Sequence, residues 1–255
     1  MMPARPHPQW IVPDWPAAGN VRALITTRAG GVSAGPFGAV AGGGMNLGLK
    51  SGDAIENVQA NRARLRAVLP AEPRWLQQVH GSTVVSIDDE GAPPPADASI
   101  SLQPRHVCAV SIADCLPVLF ADRGGRAVGA AHAGWRGLAA GIIQNTAEAM
   151  RAKLGGAALL AYLGPAIGPT HFEVGAEVLA AMSERLPRAV AAFSPLGQGK
   201  YLCDLFALAR QALAQTGIEQ IFGGGACTYS DATRFYSYRR DRITGRHAAL
   251  IWIEA

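Results

Sequence analysis

Charge is scarce in this sequence: Asp, Glu, Lys and Arg make up only 16% of its 255 residues, whereas 49% are apolar. This balance allows a large buried core and excludes a disordered chain, a coiled coil and a collagen-like fibre. The 23 basic and 19 acidic residues leave a net charge of only +4. Because nucleic-acid binding relies on dense positive stripes, we expect no nucleic-acid partner.

Long hydrophobic runs and closely spaced cysteines are also missing. No segment approaches the roughly eighteen apolar residues of a membrane span, and the first twenty residues hold five prolines and no signal-peptide core. No two cysteines have two-residue spacing, which argues against a secreted disulfide framework and a structural zinc knuckle. We therefore expect a cytoplasmic protein with no membrane partner and with free thiols at Cys108, Cys115, Cys203 and Cys227.

The chain shows no linker, internal repeat or low-complexity tract, so we predict one α/β domain over residues 1–255. Apolar patterns predict strands at 21–27, near 221 and at 248–253, a strand–turn–strand unit at 75–87, and buried strands within 107–122 and 126–137. They predict helices at 53–69, 138–154, 175–185 and 204–216, the second of them capped by Gly155. Glycine and proline predict loops at 28–38, 40–48 and 91–98.

Three side chains that bind soft or borderline metals fall at the ends of predicted strands, beside glycine or turn residues: His80, Cys115 and His132. Two imidazoles and a thiolate leave the fourth tetrahedral position of zinc open for water, whose pKa zinc lowers to about 7. Their separations match no compact zinc signature. The alternative is structural, with a histidine in a turn, a cysteine in the core and a hydrogen-bonded histidine at a strand end.

Strand geometry favours Cys115 over Cys108 as the functional thiol. An odd separation places the two on opposite faces of a continuous strand. Cys108 lies within an apolar run, whereas Cys115 precedes a Leu-Pro pair that we expect to bend or end the strand. Three alternatives stay open for Asp114. Its carboxylate points away from the site if the strand continues, turns toward the site if the proline breaks the strand, or forms hydrogen bonds within a turn.

Arginines are the main candidates for binding an anion. Arg136 and nearby backbone amides stand at a predicted helix start, which favours phosphate. Arg28, Arg62 and the pair Arg239 and Arg240 are further candidates, because guanidinium groups bind phosphate in a bidentate manner. Solvated or ion-paired structural arginines are the alternative.

Eight ordered blocks of the sequence resemble the laccase-domain proteins, a family once called multicopper polyphenol oxidases and now described as purine nucleoside phosphorylases. The blocks are TTRAGGVS at 26–33, MNLG at 45–48, NRARL at 61–65, WLQQVHG at 75–81, ADCLPVLFAD at 113–122, AAHAGWRGLAAGII at 130–143, LGPAIGP at 163–169 and FYSYRRDRITGR at 235–246. Together they span nearly the whole chain.

The resemblance implies an α/β (α+β) fold with mixed β-sheets covered by helices, and a zinc site at His80, Cys115 and His132. It implies purine nucleosides and phosphate as partners, with phosphorolysis of adenosine, inosine and methylthioadenosine beside adenosine deamination. On this basis we assign the remaining roles. These are Arg62 and Arg136 for phosphate, Asp114 as a proton carrier, Asn46 and Gln77 for orienting the nucleoside, and Arg28 and Arg239 as further substrate contacts.

Other functions fit the same residues. Six histidines without a His-X-His pair are too few for a multicopper cluster, but a single copper ion suits two imidazoles and a thiolate. Cys115 activated by His132 or His80 would make a cysteine hydrolase or amidase, acting for example on a peptidoglycan precursor. A metal-stabilised binding module would bind its ligand without turnover. The sequence does not indicate an oligomeric state.

Overall fold

The structure is a computed structural model that describes residues 5–89, 91 and 94–255. Its strands are β1 Val21–Ile25, β2 Ala29–Gly31, β3 Gly43–Gly44, β4 Arg74–Trp75, β5 Val84–Ser86, β6 Ala98–Ser101, β7 Cys108–Ile112, β8 Leu116–Asp122, β9 Val128–Ala133, β10 Leu159–Leu163, β11 Glu173–Gly175, β12 Phe193–Gly197, β13 Lys200–Cys203, β14 Ile221–Gly223 and β15 His247–Ile253. Its α-helices are α1 Ile55–Arg66, α2 Trp135–Ala140, α3 Ile142–Leu154, α4 Ala176–Arg185, α5 Leu205–Gln215 and α6 Tyr238–Asp241. Short 3₁₀ helices lie at Gly35–Phe37 and Ala189–Ala192.

The strands form two large sheets and two small ones. The six-stranded sheet has the order β14-β10-β8-β9-β6-β5, and the four-stranded sheet has the order β1-β15-β7-β4. The small sheets are β11-β13-β12 and β2-β3. Both large sheets are mixed, since β10 pairs parallel with β14 and antiparallel with β8, and β7 pairs parallel with β4 and antiparallel with β15. The predicted α/β fold with mixed sheets is confirmed.

The six-stranded sheet has an apolar core on each face. Along β8, Val118 and Phe120 point into the core shared with helices α3 and α5, whereas Leu119 and Ala121 point into the core shared with β1 and β15. This division follows from the two-residue period of a strand. Helices therefore cover one face of the sheet, and the four-stranded sheet covers the other.

The four-stranded sheet is covered on its other face by helix α1. Ile251 of β15 packs toward the six-stranded sheet, while its neighbour Leu250 packs in a third core with Leu65 of α1. The order of layers is helices, six-stranded sheet, four-stranded sheet and helix. Strands that are buried on both faces read as continuous apolar runs, as β8 and β15 do.

Several predicted elements are confirmed with small changes of bounds. Helices α1, α4 and α5 lie within the predicted ranges 53–69, 175–185 and 204–216, and β1, β14 and β15 lie at the predicted strands. Asp204 caps α5 by accepting a hydrogen bond from the Ala207 N–H at 3.0 Å. Gly155 ends α3 in the left-handed conformation, with φ 66°, as its position after the helix predicts.

The single helix predicted at 138–154 is wrong. Two helices, α2 and α3, meet at Gly141, whose φ of 90° interrupts the right-handed backbone. Leu138 and Ile142 lie on opposite sides of this break, and both are buried. The apolar spacing continues across the break, and for this reason it predicts one helix.

Four other predictions are corrected by the sheet pairing or by the bounds of the strands. Residues 75–87 form no hairpin, because β4 belongs to the four-stranded sheet and β5 to the six-stranded sheet. The run 107–122 is two strands in different sheets, with the break before Leu116, so that Pro117 lies inside β8. The glycine-rich segments 28–38 and 40–48 are not only loops, since β2 and β3 pair within them. In the predicted loop 91–98, residues 92 and 93 lie outside the described chain, and Ala98 begins β6.

The four cysteines are unpaired, as predicted. Cys108 and Cys203 are buried, whereas Cys115 and Cys227 are half-buried. Among the described helices, none combines the length and the apolar character needed to cross a bilayer.

Candidate metal centre

Asp97 organises the turn that carries His80. The backbone N–H groups of Val79, His80 and Gly81 donate to its carboxylate at 3.1, 2.9 and 2.7 Å. His80 has a left-handed backbone with φ 61°, which agrees with the turn predicted there. Because Asp97 is fully buried, its hydrogen bonds hold this turn against the end of the six-stranded sheet.

Cys115 lies in the break between β7 and β8. The preceding residue, Asp114, has φ 88°, a conformation that residues other than glycine rarely adopt. Its carboxylate accepts hydrogen bonds from Thr228 Oγ1 at 2.6 Å and from the backbone N–H of Arg239 at 2.7 Å. Asp114 is therefore a hydrogen-bonded turn carboxylate, and its role as a proton carrier stays a prediction.

His132 lies on β9, beside the start of β8. The register pairs Leu116 with Ala133 and Pro117 with His132, which brings Cys115 to the end of β9. Nδ1 of His132 is 2.8 Å from Oδ1 of Asp97. Since that hydrogen bond uses Nδ1, the atom left for a ligand is Nε2.

The fold brings the three predicted metal ligands together. The donor atoms of His80, Cys115 and His132 all lie within 4.8 Å of one another, and the two imidazole centroids are 4.8 Å apart. Gly134 permits this approach, because a Cβ at that position would lie 2.8 Å from Cys115 Sγ. A residue larger than glycine would press on the thiol.

The neighbours of Cys115 favour its thiolate. Burial would raise the pKa of this thiol, but the charge and hydrogen bond of His132, together with those of His80, lower it to about 6. Burial would lower the pKa of His132, but the charge of Cys115 and the hydrogen bond to Asp97 raise it to about 9. Without a metal, the site at neutral pH thus pairs the Cys115 thiolate with the His132 imidazolium.

The donors fit one borderline-soft metal ion. Zinc and copper both accept two imidazoles and a thiolate, and the thiolate form of Cys115 is the favoured one. A metal-binding histidine usually donates its other N–H to a carboxylate, and Asp97 supplies that carboxylate to His132. Three protein ligands also leave a coordination position open for water or substrate.

Comparison with known proteins identifies the family. A family model described as multi-copper polyphenol oxidoreductase laccase matches residues 22–254. The chain belongs to this family. It is 50% identical over 246 residues to the purine nucleoside phosphorylase YfiH of Escherichia coli, covering 95% of this chain and 98% of the relative, and 48% identical over 246 residues to a purine nucleoside phosphorylase of Pseudomonas aeruginosa, covering 96% and 98%.

Solved structures share the fold of this laccase-family chain. A Neisseria meningitidis protein of the family DUF152 superposes with a TM-score of 0.88 at 46% identity, covering 97% of this chain and 100% of that chain. YlmD from Geobacillus stearothermophilus also gives a TM-score of 0.88, at 30% identity, covering 100% and 99%.

The multi-copper part of the family description does not fit the histidines of this chain. Within the described residues, the one group of donors that could hold a metal is His80, Cys115 and His132. The remaining histidines have other neighbours in the fold: His7, His106, His171 and His247. The residues therefore fit a single metal ion and no copper cluster.

Arg62 and Arg136, which we assigned to phosphate, both stack on tryptophans. Cζ of Arg62 lies 4.2 Å from the ring centroid of Trp75, and Cζ of Arg136 lies 4.3 Å from that of Trp135. Arg62 also donates from Nε to the Leu47 carbonyl at 3.0 Å, and its burial lowers its pKa. Arg136 is exposed at the start of α2. Their phosphate roles stay predictions.

Arg28 and Arg239 bond to backbone carbonyls. The Arg28 guanidinium donates to the carbonyls of Gly38 and Ala232 at 2.9 and 3.1 Å. Nη1 of Arg239 donates to the carbonyl of Glu173 at 2.9 Å. These contacts hold loop segments together, and a role in substrate binding stays a prediction for both residues.

Asn46 and Gln77 lie in different surroundings. Asn46 is fully buried, and its amide nitrogen donates to Ser51 Oγ at 2.8 Å and to Asp53 Oδ2 at 2.9 Å. Its amide oxygen accepts from the backbone N–H groups of Gly48 and Arg246. Gln77 is exposed, three residues before His80. Their roles in orienting a nucleoside stay predictions.

Sequence reasoning missed Asp97 and Gly134, the two residues that shape the metal centre. Asp97 follows a proline-rich segment and directly precedes β6, and a carboxylate at a strand start is the signal that identifies it. Gly134 stands between His132 and the start of α2. Its need for glycine follows only from the approach of Cys115 across the sheet.

Proposed function

We propose that the protein is a purine nucleoside phosphorylase with zinc bound by His80, Cys115 and His132. The observation that carries this proposal is the convergence of these three donors beside Asp97. The names of the Escherichia coli and Pseudomonas aeruginosa relatives support the choice of substrate class. The proposed reactions are phosphorolysis of adenosine, inosine and methylthioadenosine, together with deamination of adenosine.

The chain's own residues prepare the site for this chemistry. Cys115 and the two histidines hold the metal, and Asp97 keeps the His132 ring in one orientation. Bound zinc supplies a Lewis acid that lowers the pKa of water, as deamination requires. Phosphorolysis requires phosphate positioned against the ribose C1′, a task we assign to Arg62 and Arg136.

The phosphorylase proposal is tested with inosine. We expect hypoxanthine to form only when phosphate is added, with ribose 1-phosphate as the second product. Chromatography of both products measures this directly. Hypoxanthine that appears equally fast without phosphate would show hydrolysis and overturn the proposal.

The zinc proposal is tested by elemental analysis and by deamination of adenosine. We expect about one zinc per chain in the wild type and in Cys227→Ser, which changes the other half-buried thiol, and little zinc in Cys115→Ser. Removing zinc with a chelator should abolish inosine formation from adenosine, and adding zinc should restore it. Full turnover by verified zinc-free protein contradicts the proposal, and copper in place of zinc supports the single-copper oxidase.

A cysteine hydrolase is the second candidate, because Cys115, His132 and Asp97 are joined as a thiol, an imidazole and a carboxylate. A thiol with a pKa of about 6 is a good nucleophile. In that case chelation leaves turnover of an amide substrate intact, and alkylation of Cys115 abolishes it. Under the zinc proposal, the metal protects Cys115 from alkylation.

A further inference from the structure

Arg246 has a guanidinium that is only partly used by the fold. Nη1 donates to the carbonyls of Thr244 and Gly245, both at 3.0 Å. No hydrogen bond from Nε or Nη2 joins it to another group in the described chain, and its side chain is half-buried. A half-buried guanidinium with unused donors is suited to an anion.

The base of the Arg246 side chain is held in place. Its backbone N–H donates to Asn46 Oδ1 at 2.9 Å, and a Cβ at Gly48 would lie 2.7 Å from its Cγ. Cζ lies 5.9 Å from the ring centroid of Tyr238, within the range of a cation–π contact. The guanidinium is therefore positioned before any ligand binds.

Arg246 lies close to the metal centre. Its guanidinium contacts the ring of Tyr238. The next residue, Arg239, donates its backbone N–H to the carboxylate of Asp114. Asp114 directly precedes Cys115 in the chain. Burial lowers the pKa of Arg246, and the negative charges of Cys115 and Asp114 act in the opposite direction. Arg246 is thus a positive charge within electrostatic range of Cys115 and Asp114.

Within the described chain, no carboxylate forms a direct ion pair with the Arg246 guanidinium. The carboxylate oxygens of Asp114 already accept hydrogen bonds from Thr228 and from the Arg239 backbone. By contrast, the guanidinium of Arg240 donates to the carbonyls of Thr228, Tyr229 and Phe235 and pairs with Asp241. Arg246 keeps donors that Arg240 does not.

We propose that Arg246 binds the inorganic phosphate that attacks the nucleoside, with Nε and Nη2 as its donors. This inference rests on the proposed phosphorolysis. In that step a phosphate oxygen forms a bond to the ribose C1′ while the bond from C1′ to the purine nitrogen breaks. The bonding pair leaves on the purine nitrogen, which takes up the proton that hydrogen phosphate gives up. Arg246 offsets part of the negative charge that phosphate brings into the site.

The test compares Arg246→Gln with Arg242→Gln as a matched control. Cζ of Arg242 lies at the same 5.9 Å from Tyr238, but its side chain is exposed. We expect Arg246→Gln to raise the KM for phosphate roughly ten- to hundredfold and to leave the KM for inosine nearly unchanged. Arg246→Lys should fall between, because lysine keeps the charge and loses the forked donors. Arg242→Gln should behave as wild type.

Calorimetric titration with inorganic phosphate alone separates this inference from the proposed function. Phosphate binding by the wild type and by Arg242→Gln, but not by Arg246→Gln, supports a phosphate-binding role for Arg246 even if no nucleoside is cleaved. Unchanged phosphate binding and KM in Arg246→Gln overturn the role of Arg246, even if phosphorolysis is confirmed. Binding of inosine 5′-monophosphate through Arg246 with no binding of inorganic phosphate also overturns it.

Discussion

Asp97 holds the candidate metal centre in shape without being one of its three donors. It fixes the His80 turn through three backbone N–H groups and the His132 ring through Nδ1. We expect Asp97→Asn to lower zinc affinity roughly 10- to 100-fold, because the amide presents one acceptor oxygen in place of two. Competition with a chromogenic chelator measures this affinity.

Asp88→Asn is the control for that variant. Asp88 makes an equivalent contact, 2.9 Å from Oδ1 to Nδ1 of His106, but this pair lies apart from the metal ligands. Asp88→Asn should keep the zinc affinity of the wild type. Equal zinc affinity in both variants would exclude an orienting role for Asp97.

Cys115 should react as a thiolate in zinc-free protein. Because its pKa is about 6, the rate of alkylation by iodoacetamide should rise as the pH passes 6 and level off above about pH 7. Burial raises the pKa of Cys108 and Cys203 to about 12, so neither should react. Mass spectrometry on Cys227→Ser protein measures alkylation of Cys115, the single thiol expected to react. A pH midpoint of the alkylation rate near the ordinary thiol pKa of about 8.5 would contradict the low pKa of Cys115.

At the scale of elements, the junction of α2 and α3 sets where the helix beside the metal centre ends. Gly141 has φ 90°, and a Cβ there would collide with the Arg185 guanidinium, which donates to the Ala140 carbonyl at 3.1 Å. We expect Gly141→Ala to lower the free energy of unfolding by about 2–3 kcal/mol, through backbone strain and the lost Arg185 contact. Urea unfolding measures the change.

The variant Gly155→Ala separates the cost of a left-handed alanine from the cost of the collision with Arg185. Gly155 also has a left-handed backbone, φ 66°, but a Cβ there would meet open space. The decrease in the free energy of unfolding of Gly155→Ala should be smaller, about 1 kcal/mol. If the two variants lose the same stability, the packing of Arg185 against Gly141 contributes nothing.

At the scale of the whole molecule, His247 links folding to pH. It is fully buried at the start of β15 and accepts a hydrogen bond from the Tyr236 N–H at 2.7 Å. Burial and the charge of Arg28 lower its pKa to about 3. The unfolded chain therefore takes up a proton below about pH 6.5 that the folded protein does not accept until about pH 3.

The free energy of unfolding should consequently fall as the pH decreases from 6.5 to 4.5, by at most about 1.4 kcal/mol per pH unit from this residue. His247→Gln should reduce that slope, because glutamine keeps an acceptor and has no proton to gain. His106→Gln, at a partly exposed histidine, is the control. Urea unfolding at several pH values would contradict the prediction if the wild type and His247→Gln gave the same slope.

The amino-acid sequence by itself determines the amphipathic helices, the buried strands and the three side chains that form the candidate metal centre. Apolar spacing depends only on local order, so α1, α4, α5 and β15 follow from it. His80, Cys115 and His132 are recognisable because metal-binding side chains beside turn residues at strand ends are chemically unusual. Whether residues 1–255 form one domain stays a prediction.

Only the tertiary structure decided which strands pair and which residues support the site. The Leu-Pro pair after Cys115 predicts a bend or an end of the strand there. Local patterns carry no information on sheet membership, so the placement of β7 and β8 in different sheets could not be predicted. The same holds for Asp97 and Arg246, which lie far from Cys115 along the chain and reach its surroundings only through the pairing of β6, β8 and β9 and through the loop before β15. Long-range packing, rather than local propensity, places the Asp97 carboxylate against Nδ1 of His132 and brings Arg246 within electrostatic range of Cys115.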